Sequence, residues 1–284
     1  MFKSTIWAEK VLSLQDEDGK WGYFHTLSQP NKYPINTEMA LRRLRILGFT
    51  LQDEPIQRAV TYMQDCLYGK KTIPDRSEKL HNWDLFTQMM LSACIIQFTD
   101  KCEKANSVAN TWANVITQAF ASGAYNHTHY IAAYAQTFRL KPQGGRFVDF
   151  VSFYQVALLA NRLDANTQSI VFDYILHHPY GIYYVYGNLD GLSPLCKLPA
   201  VFSSKSASRY LGAIELLAQY HADAHKLQFV ADWLYAHKNE QGVWDMGSTV
   251  NDKVYFPLHN SWRRKEDRQA DCTYRIQNLI DRIR

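Results

Sequence analysis

A glycine followed two residues later by an aromatic ring recurs where helical text ends along this chain: Gly19/Trp21, Gly123/Tyr125, Gly181/Tyr183 and Gly242/Trp244. Gly69 fills the gap between the first two, with Lys71 where the ring would stand. Successive glycines are 50, 54, 58 and 61 residues apart, so the period lengthens slowly. Helix pairs repeating at such a spacing form an array or ring of hairpins, because a single pair cannot bury its own apolar face. At each joint the glycine is expected to take a positive φ that ends the helix, while the ring packs on the neighbouring hairpin. The pattern therefore predicts an all-α chain forming one domain over residues 1–284.

The text between the joints reads as helices with recognisable ends. Apolar residues at helical spacing mark Thr5 to Gln15, and Asn36 stands as the cap of TEMALRRLRILG, which Gly48 stops. Asp53-Glu54-Pro55 starts a helix running to Tyr68-Gly69, and Asn82 opens WDLFTQMMLSACIIQF. Further helices are predicted over Lys104 to Ala121, Thr128 to Leu140 and Asp149 to Leu163. Asp164 caps the next, Ser206 caps ASRYLGAIELLAQY, Asp223 opens one reaching Lys238, and the last runs from about Arg268 to Ile283. Tyr183 to Ala200 is the longest stretch without helical period, a length usual for a functional loop or a lid, and GIYYVYG within it reads as a short extended segment.

The turn Gln15-x-x-x-Gly19-x-Trp21 resembles the Gln/Trp motif of the squalene cyclase and protein prenyltransferase superfamily. Asn239-x-x-Gly242-x-Trp244 is a weaker copy that lacks the glutamine. The resemblance implies an α/α toroid, a ring of five to six helical hairpins with an inner helix layer inside an outer one. It also implies a small or chain-like ligand, isoprenoid in type, in an aromatic-lined central cavity. The family's chemistry does not follow. The only near match to the cyclases' Asp-x-Asp-Asp is Asp16-Glu17-Asp18, inside the first joint. The Asp271-Cys272 pair with His259 upstream lacks the zinc spacing of the prenyltransferases. Rings of this kind also serve carbohydrate-active enzymes, and a protein-interaction scaffold without an active site is a third reading.

Composition narrows the partners. Hydrophobic residues at 46% and charged residues at 20% describe a folded chain and exclude disorder as the main state. The net charge of +4 comes mostly from Trp262 to Arg284, where seven Lys/Arg face four Asp/Glu, too little for a nucleic-acid face. No window approaches the ~20 apolar residues of a membrane span. Five widely spaced cysteines without a Cys-x-x-Cys pair read as free thiols in a cytoplasmic protein, with no cofactor or metal expected.

If alternate helices form the inner layer, those starting at Asn36, Asn82, Ser206 and about Asp271 point their N-termini to one mouth. The ligand candidates there are Glu38, Trp83, Asp84, Arg209, Tyr210, Asp271, Tyr274 and Arg275. Asp84 and Asp271 are equally readable as first-turn capping acids. Tyr154 and Tyr183, from aromatic runs that include Tyr125, Tyr130, Phe150, Phe153, Tyr180, Tyr184 and Tyr186, are candidates for stacking against a ligand. A carboxylate pair for the carbohydrate reading would come from Glu38, Asp84, Asp149 and Asp271. Arg263, Arg264, Arg268 and Arg275 suggest an anion site, while His127, His129, His177 and His178 read as solvated. Trp21 and Trp244 read as structural staples, and Phe256, Leu258 and Trp262 as residues closing against the first hairpin.

Overall fold

The computed structural model describes residues 2–25, 34–79, 82–143, 149–183, 193–251 and 254–284. Among them are eleven α-helices and no strand: α1 (Ile6–Leu12), α2 (Thr37–Ile46), α3 (Glu54–Leu67), α4 (Trp83–Ile96), α5 (Glu103–Ala119), α6 (His127–Phe138), α7 (Phe153–Leu159), α8 (Ala165–His177), α9 (Lys205–Leu217), α10 (Gln228–Ala236) and α11 (Lys265–Ile283). The all-α expectation therefore holds for the described residues. No helix among them is long and apolar enough to cross a membrane. The helices fall into two compact units: residues 1–110 with 258–260, and residues 111–257 with 261–284.

Helix starts follow local hydrogen bonding. Asn36 accepts from the Met39 N–H at 2.8 Å and Asp164 from the Thr167 N–H at 3.0 Å, as N-caps do. Besides α11, which begins at Lys265 rather than about Arg268, three predicted starts move. Helix α9 is capped two residues early by Ser204, whose Oγ accepts from the Ala207 N–H at 3.0 Å. Asp223 opens a 3₁₀ turn over Ala224–Leu227 before α10 begins. Helix α7 starts at Phe153 rather than Asp149, because Ser152, itself extended, caps it. There the Tyr183 N–H donates to Val151 O at 3.1 Å and the Phe153 N–H to Tyr183 O at 3.0 Å. That isolated parallel bridge between Ser152 and Tyr183 is the only extended pairing in the described part of GIYYVYG. Tyr184 and Tyr186 lie outside the described residues.

In the first unit α1 packs on α2 and α3 on α4, over a core that includes Leu44, Ile56, Met63 and Met90. Leu258–Asn260 join it: the Trp7 indole N–H donates to Asn260 O and the Ile6 N–H to its Oδ1, both at 3.0 Å. In the second unit α7 meets α9 and α10 meets α11 around Phe172, Leu211, Ile214, Leu234 and Ile280. Each such side chain contributes roughly 1.5–3 kcal/mol on burial.

The five joint glycines all take positive φ, from +58° at Gly181 to +94° at Gly19. The two tryptophan joints coincide in detail. Trp21 and Trp244 are fully buried, and each indole N–H donates to a carbonyl ten residues earlier: Val11 at 2.7 Å and Leu234 at 2.6 Å. Each backbone N–H donates to a threonine hydroxyl, Thr37 at 2.9 Å and Thr273 at 3.1 Å. Gln15 donates to Gly19 O at 2.9 Å and Pro55 O at 2.8 Å, tying the first joint to α3. Lys238 holds the corresponding place in the last joint, its ammonium 4.4 Å from the Trp244 ring. The staple role expected for both tryptophans is what they perform.

Candidate functional site

In the first unit the chain leaving the Trp21 joint is zipped onto the start of α2. The Thr37 N–H donates to Tyr23 O at 2.9 Å, the Glu38 N–H to Phe24 O at 3.0 Å, and Asn36 Nδ2 to His25 O at 2.6 Å. The Asp75 carboxylate receives the N–H groups of Phe24 and His25 at 2.6 and 2.9 Å. With its N–H and carbonyl both held, His25 places Nδ1 3.1 Å from Glu38 Oε2 and Nε2 3.9 Å from Glu78 Oε1. Phe86 stands edge-on to the imidazole at 5.6 Å, and Trp83 lies 5.9 Å from Phe86.

Burial works to lower the His25 pKa. The Glu38 hydrogen bond and the charges of Glu38, Glu78 and Asp75 outweigh it and raise the imidazole above its ordinary value. The His25 side chain keeps 25% of its exposure. A carboxylate that orients an imidazole, with an aromatic surface beside it, is a pairing suited to proton transfer or to holding a polar ligand against a ring.

The second unit holds a different constellation. Asp149 Oδ1 receives the Val151 N–H at 2.9 Å and the Tyr183 hydroxyl, while Oδ2 lies 3.3 Å from His178 Nε2. His178 Nδ1 is 3.1 Å from Gly181 O. Burial works to raise the Asp149 carboxyl, but the His178, Tyr183 and Val151 hydrogen bonds together hold it below the usual range. Burial and the neighbouring Asp149 charge push the Tyr183 phenol up. Phe150 stacks on Tyr174 at 5.7 Å and Tyr125 lies 4.6 Å from Tyr174, so one aromatic cluster flanks the acid.

Of the residues picked from sequence, Glu38 reaches His25 directly and Trp83 lies behind Phe86, one ring removed from it, with Asp84 exposed on the first turn of α4. Tyr183 joins Asp149. Tyr154 is buried, edge-on to Phe153 at 5.2 Å. Arg209 is half-exposed on α9, and the buried Tyr210 donates to Leu195 O at 2.9 Å. Tyr274 is exposed on α11.

Asp271 departs from its expected place. Helix α11 begins at Lys265, so Asp271 lies inside it, buried, accepting from the Trp262 indole at 2.8 Å. Arg275 is also buried, paired bidentately with Glu215 at 2.8 and 2.7 Å, its guanidinium 3.7 Å over the Tyr255 ring. Arg268 pairs in the same way with Asp245 at 2.6 and 2.8 Å. The suggested anion site thus has two of its four arginines already matched to carboxylates. His178 is likewise corrected: it is 5% exposed, whereas His127, His129 and His177 are solvated.

His25, Asp75 and Glu78 were not singled out from sequence. The signal was present in part: once Trp21 is pinned to α1 and its N–H to Thr37, a side chain four residues on must lie at the start of α2. All five cysteines are free thiols. No group of three or more His, Cys, Asp or Glu among the described residues is arranged to hold a metal ion. No family model, no curated protein and no solved structure matches this chain.

Proposed function

We propose that this chain is a ligand-binding protein of the terpenoid cyclase and protein prenyltransferase type, a single α/α toroid of hairpins. Its ligand is a small ring-bearing or chain-like molecule, isoprenoid in the leading reading, held where α2 and α4 begin. The observation that carries this reading is the His25–Glu38 pair beside Trp83 and Phe86, an oriented polar group next to an apolar ring surface. The repeated tryptophan joint supports the likeness to hairpin rings, and no reaction is assigned. A carbohydrate-active enzyme is the second reading. It is favoured by Glu38 and Glu78 on opposite edges of one imidazole, a placement that sets two carboxyls within the ~5–10 Å range glycoside hydrolysis uses.

Thermal unfolding with farnesol, farnesyl diphosphate or a β-linked oligosaccharide separates the two. A ligand at a hundredfold excess over its Kd stabilises by about 2.7 kcal/mol. Stabilisation by an isoprenoid that disappears in Trp83→Ala and His25→Gln supports the first reading, and the same pattern with the oligosaccharide supports the second. Stabilisation by neither class, or stabilisation that both variants retain, overturns both.

A further inference from the structure

The joint at Gly181 departs from the tryptophan joints at two positions at once. In register, His178 stands where Asp16 and Asn239 stand, and Tyr183 stands where Trp21 and Trp244 stand. Asp16 and Asn239 close their turns by accepting backbone N–H groups, from Lys20 at 3.2 Å and from Val243 at 3.1 Å. Both replacements in the Gly181 joint instead reach one further residue, Asp149, which precedes α7. The ring, which in the tryptophan joints donates to a backbone carbonyl, here donates to a titratable side chain.

The proton count of this node follows from its geometry. His178 Nδ1 faces a carbonyl oxygen at 3.1 Å and Nε2 faces a carboxylate oxygen at 3.3 Å, both of which only accept. A neutral imidazole has one N–H and would turn a lone pair toward one of them. Two N–H groups, an imidazolium against an ionised Asp149, satisfy every atom. The carboxylate then has three donors: the imidazolium, the Tyr183 hydroxyl and the Val151 N–H. A proton placed on Asp149 would set a donor against one of these donors and remove the charge that holds the imidazolium.

We infer that Asp149, His178 and Tyr183 form a proton-dependent latch that fastens the chain before α7 to the turn after α8, closed while Asp149 is ionised and opened when it is protonated. The fastened segments are those joined by the two backbone bonds between residues 151–153 and Tyr183. The titratable groups facing Asp149 are Tyr174 of α8, His178 and Tyr183 of the turn after it, Tyr125 of the turn after α5, and Tyr130 of α6. The tyrosines are all pushed up by burial first and so stay neutral. Asp149 itself lies below the ordinary carboxylate range. The latch is therefore closed at neutral pH and opens on the acid side.

Amide hydrogen exchange followed by NMR tests this on the full chain, with the α9 amides of Leu211 and Ile214 as internal reference. Protection factors of the Phe153 and Tyr183 amides should fall at least about tenfold, the scale of losing one hydrogen bond to a charged group, as the pH drops into the acid range, while the reference amides hold. Asp149→Asn should show the low protection already at neutral pH. If that variant fails to fold, His178→Gln serves in its place, with opening displaced to higher pH. Protection of Phe153 and Tyr183 that stays level with pH until global unfolding, or that either folded variant leaves at the wild-type value, overturns the latch.

Discussion

The tryptophan joints at Trp21 and Trp244 and the tyrosine joint at Tyr183 share a positive-φ glycine and a buried ring, yet they are sealed by different chemistry. Each indole has one donor and finds one backbone carbonyl ten residues back. The backbone N–H of each tryptophan goes to a threonine hydroxyl, and Gln15 ties the first joint to α3 through Pro55 O. Tyrosine's hydroxyl sits at the tip of a shorter ring and donates to Asp149. Exchanges at two positions, His178 and Tyr183, thus convert a ring seal made to a backbone carbonyl into one that depends on a carboxylate and an imidazole. Where a repeat conserves its backbone, the donor at one position decides whether the joint answers to pH.

The largest test of the tryptophan half of this contrast removes the ring. Trp21→Ala and Trp244→Ala each delete a fully buried side chain and are expected to cost about 3–5 kcal/mol, measured by urea unfolding. Trp→Phe at the same positions keeps most of the packing and removes one of two donors to the Val11 or Leu234 carbonyl, leaving the Leu14 or His237 N–H, for a loss of about 0.5–1.5 kcal/mol. Neither loss should vary between pH 4 and 8. A pH-dependent loss would erase the distinction between the two kinds of joint.

A smaller effect separates the joints by what surrounds their glycines. If positive φ alone demanded glycine, alanine would cost alike everywhere, roughly 1–2 kcal/mol. At Gly242 nothing lies within 4 Å of an added Cβ, so Gly242→Ala should cost that and no more. At Gly19 the Cβ would sit 2.7 Å from the Arg58 carbonyl carbon and oxygen, and at Gly181 it would sit 2.6 Å from Ser193 O. Backbone cannot step aside as a flexible side chain can. Gly19→Ala and Gly181→Ala should therefore both exceed Gly242→Ala in chemical denaturation, and equal losses at all three sites would show that the close approaches relax freely.

The joints and the helices between them were legible in the sequence because each rests on neighbours in the chain. Asn36 and Asp164 cap amides three residues on, Gly19 closes onto Asp16, and the Trp21 indole reaches ten residues back to Val11. Legibility failed where a side chain looked local and was not. Asp149 reads as the first residue of a helix, but its carboxylate is taken up by Val151, His178 and Tyr183, and α7 starts four residues later. Asp271 reads as a first-turn acid, but α11 begins earlier and buries it under Trp262. The His25 site was half visible. Glu38 and Trp83 stand at predicted helix starts, whereas His25 depends on Asp75, 50 residues away, to fix its backbone.

The smallest expected effect sharpens the tyrosine half of the contrast. Tyr183→Phe keeps the ring and the Asp149–His178 pair and removes one of the three donors to the carboxylate. Asp149 has a folded pKa held below its unfolded one, so its contribution to stability is present above the unfolded value and is lost as the pH falls through the folded value. With one donor gone, the folded pKa moves back toward the ordinary range. The contribution shrinks by about 1 kcal/mol at neutral pH, and its loss on acidification starts at a higher pH than in the wild type. Stability curves measured from pH 7 down to pH 3 should therefore draw together as the pH falls and Asp149 takes up its proton in both proteins, since the missing hydroxyl then matters less. Curves that run parallel over that range would mean that the Tyr183 hydroxyl acts only through packing, and that the tyrosine joint is sealed in the same pH-independent way as the two built on tryptophan.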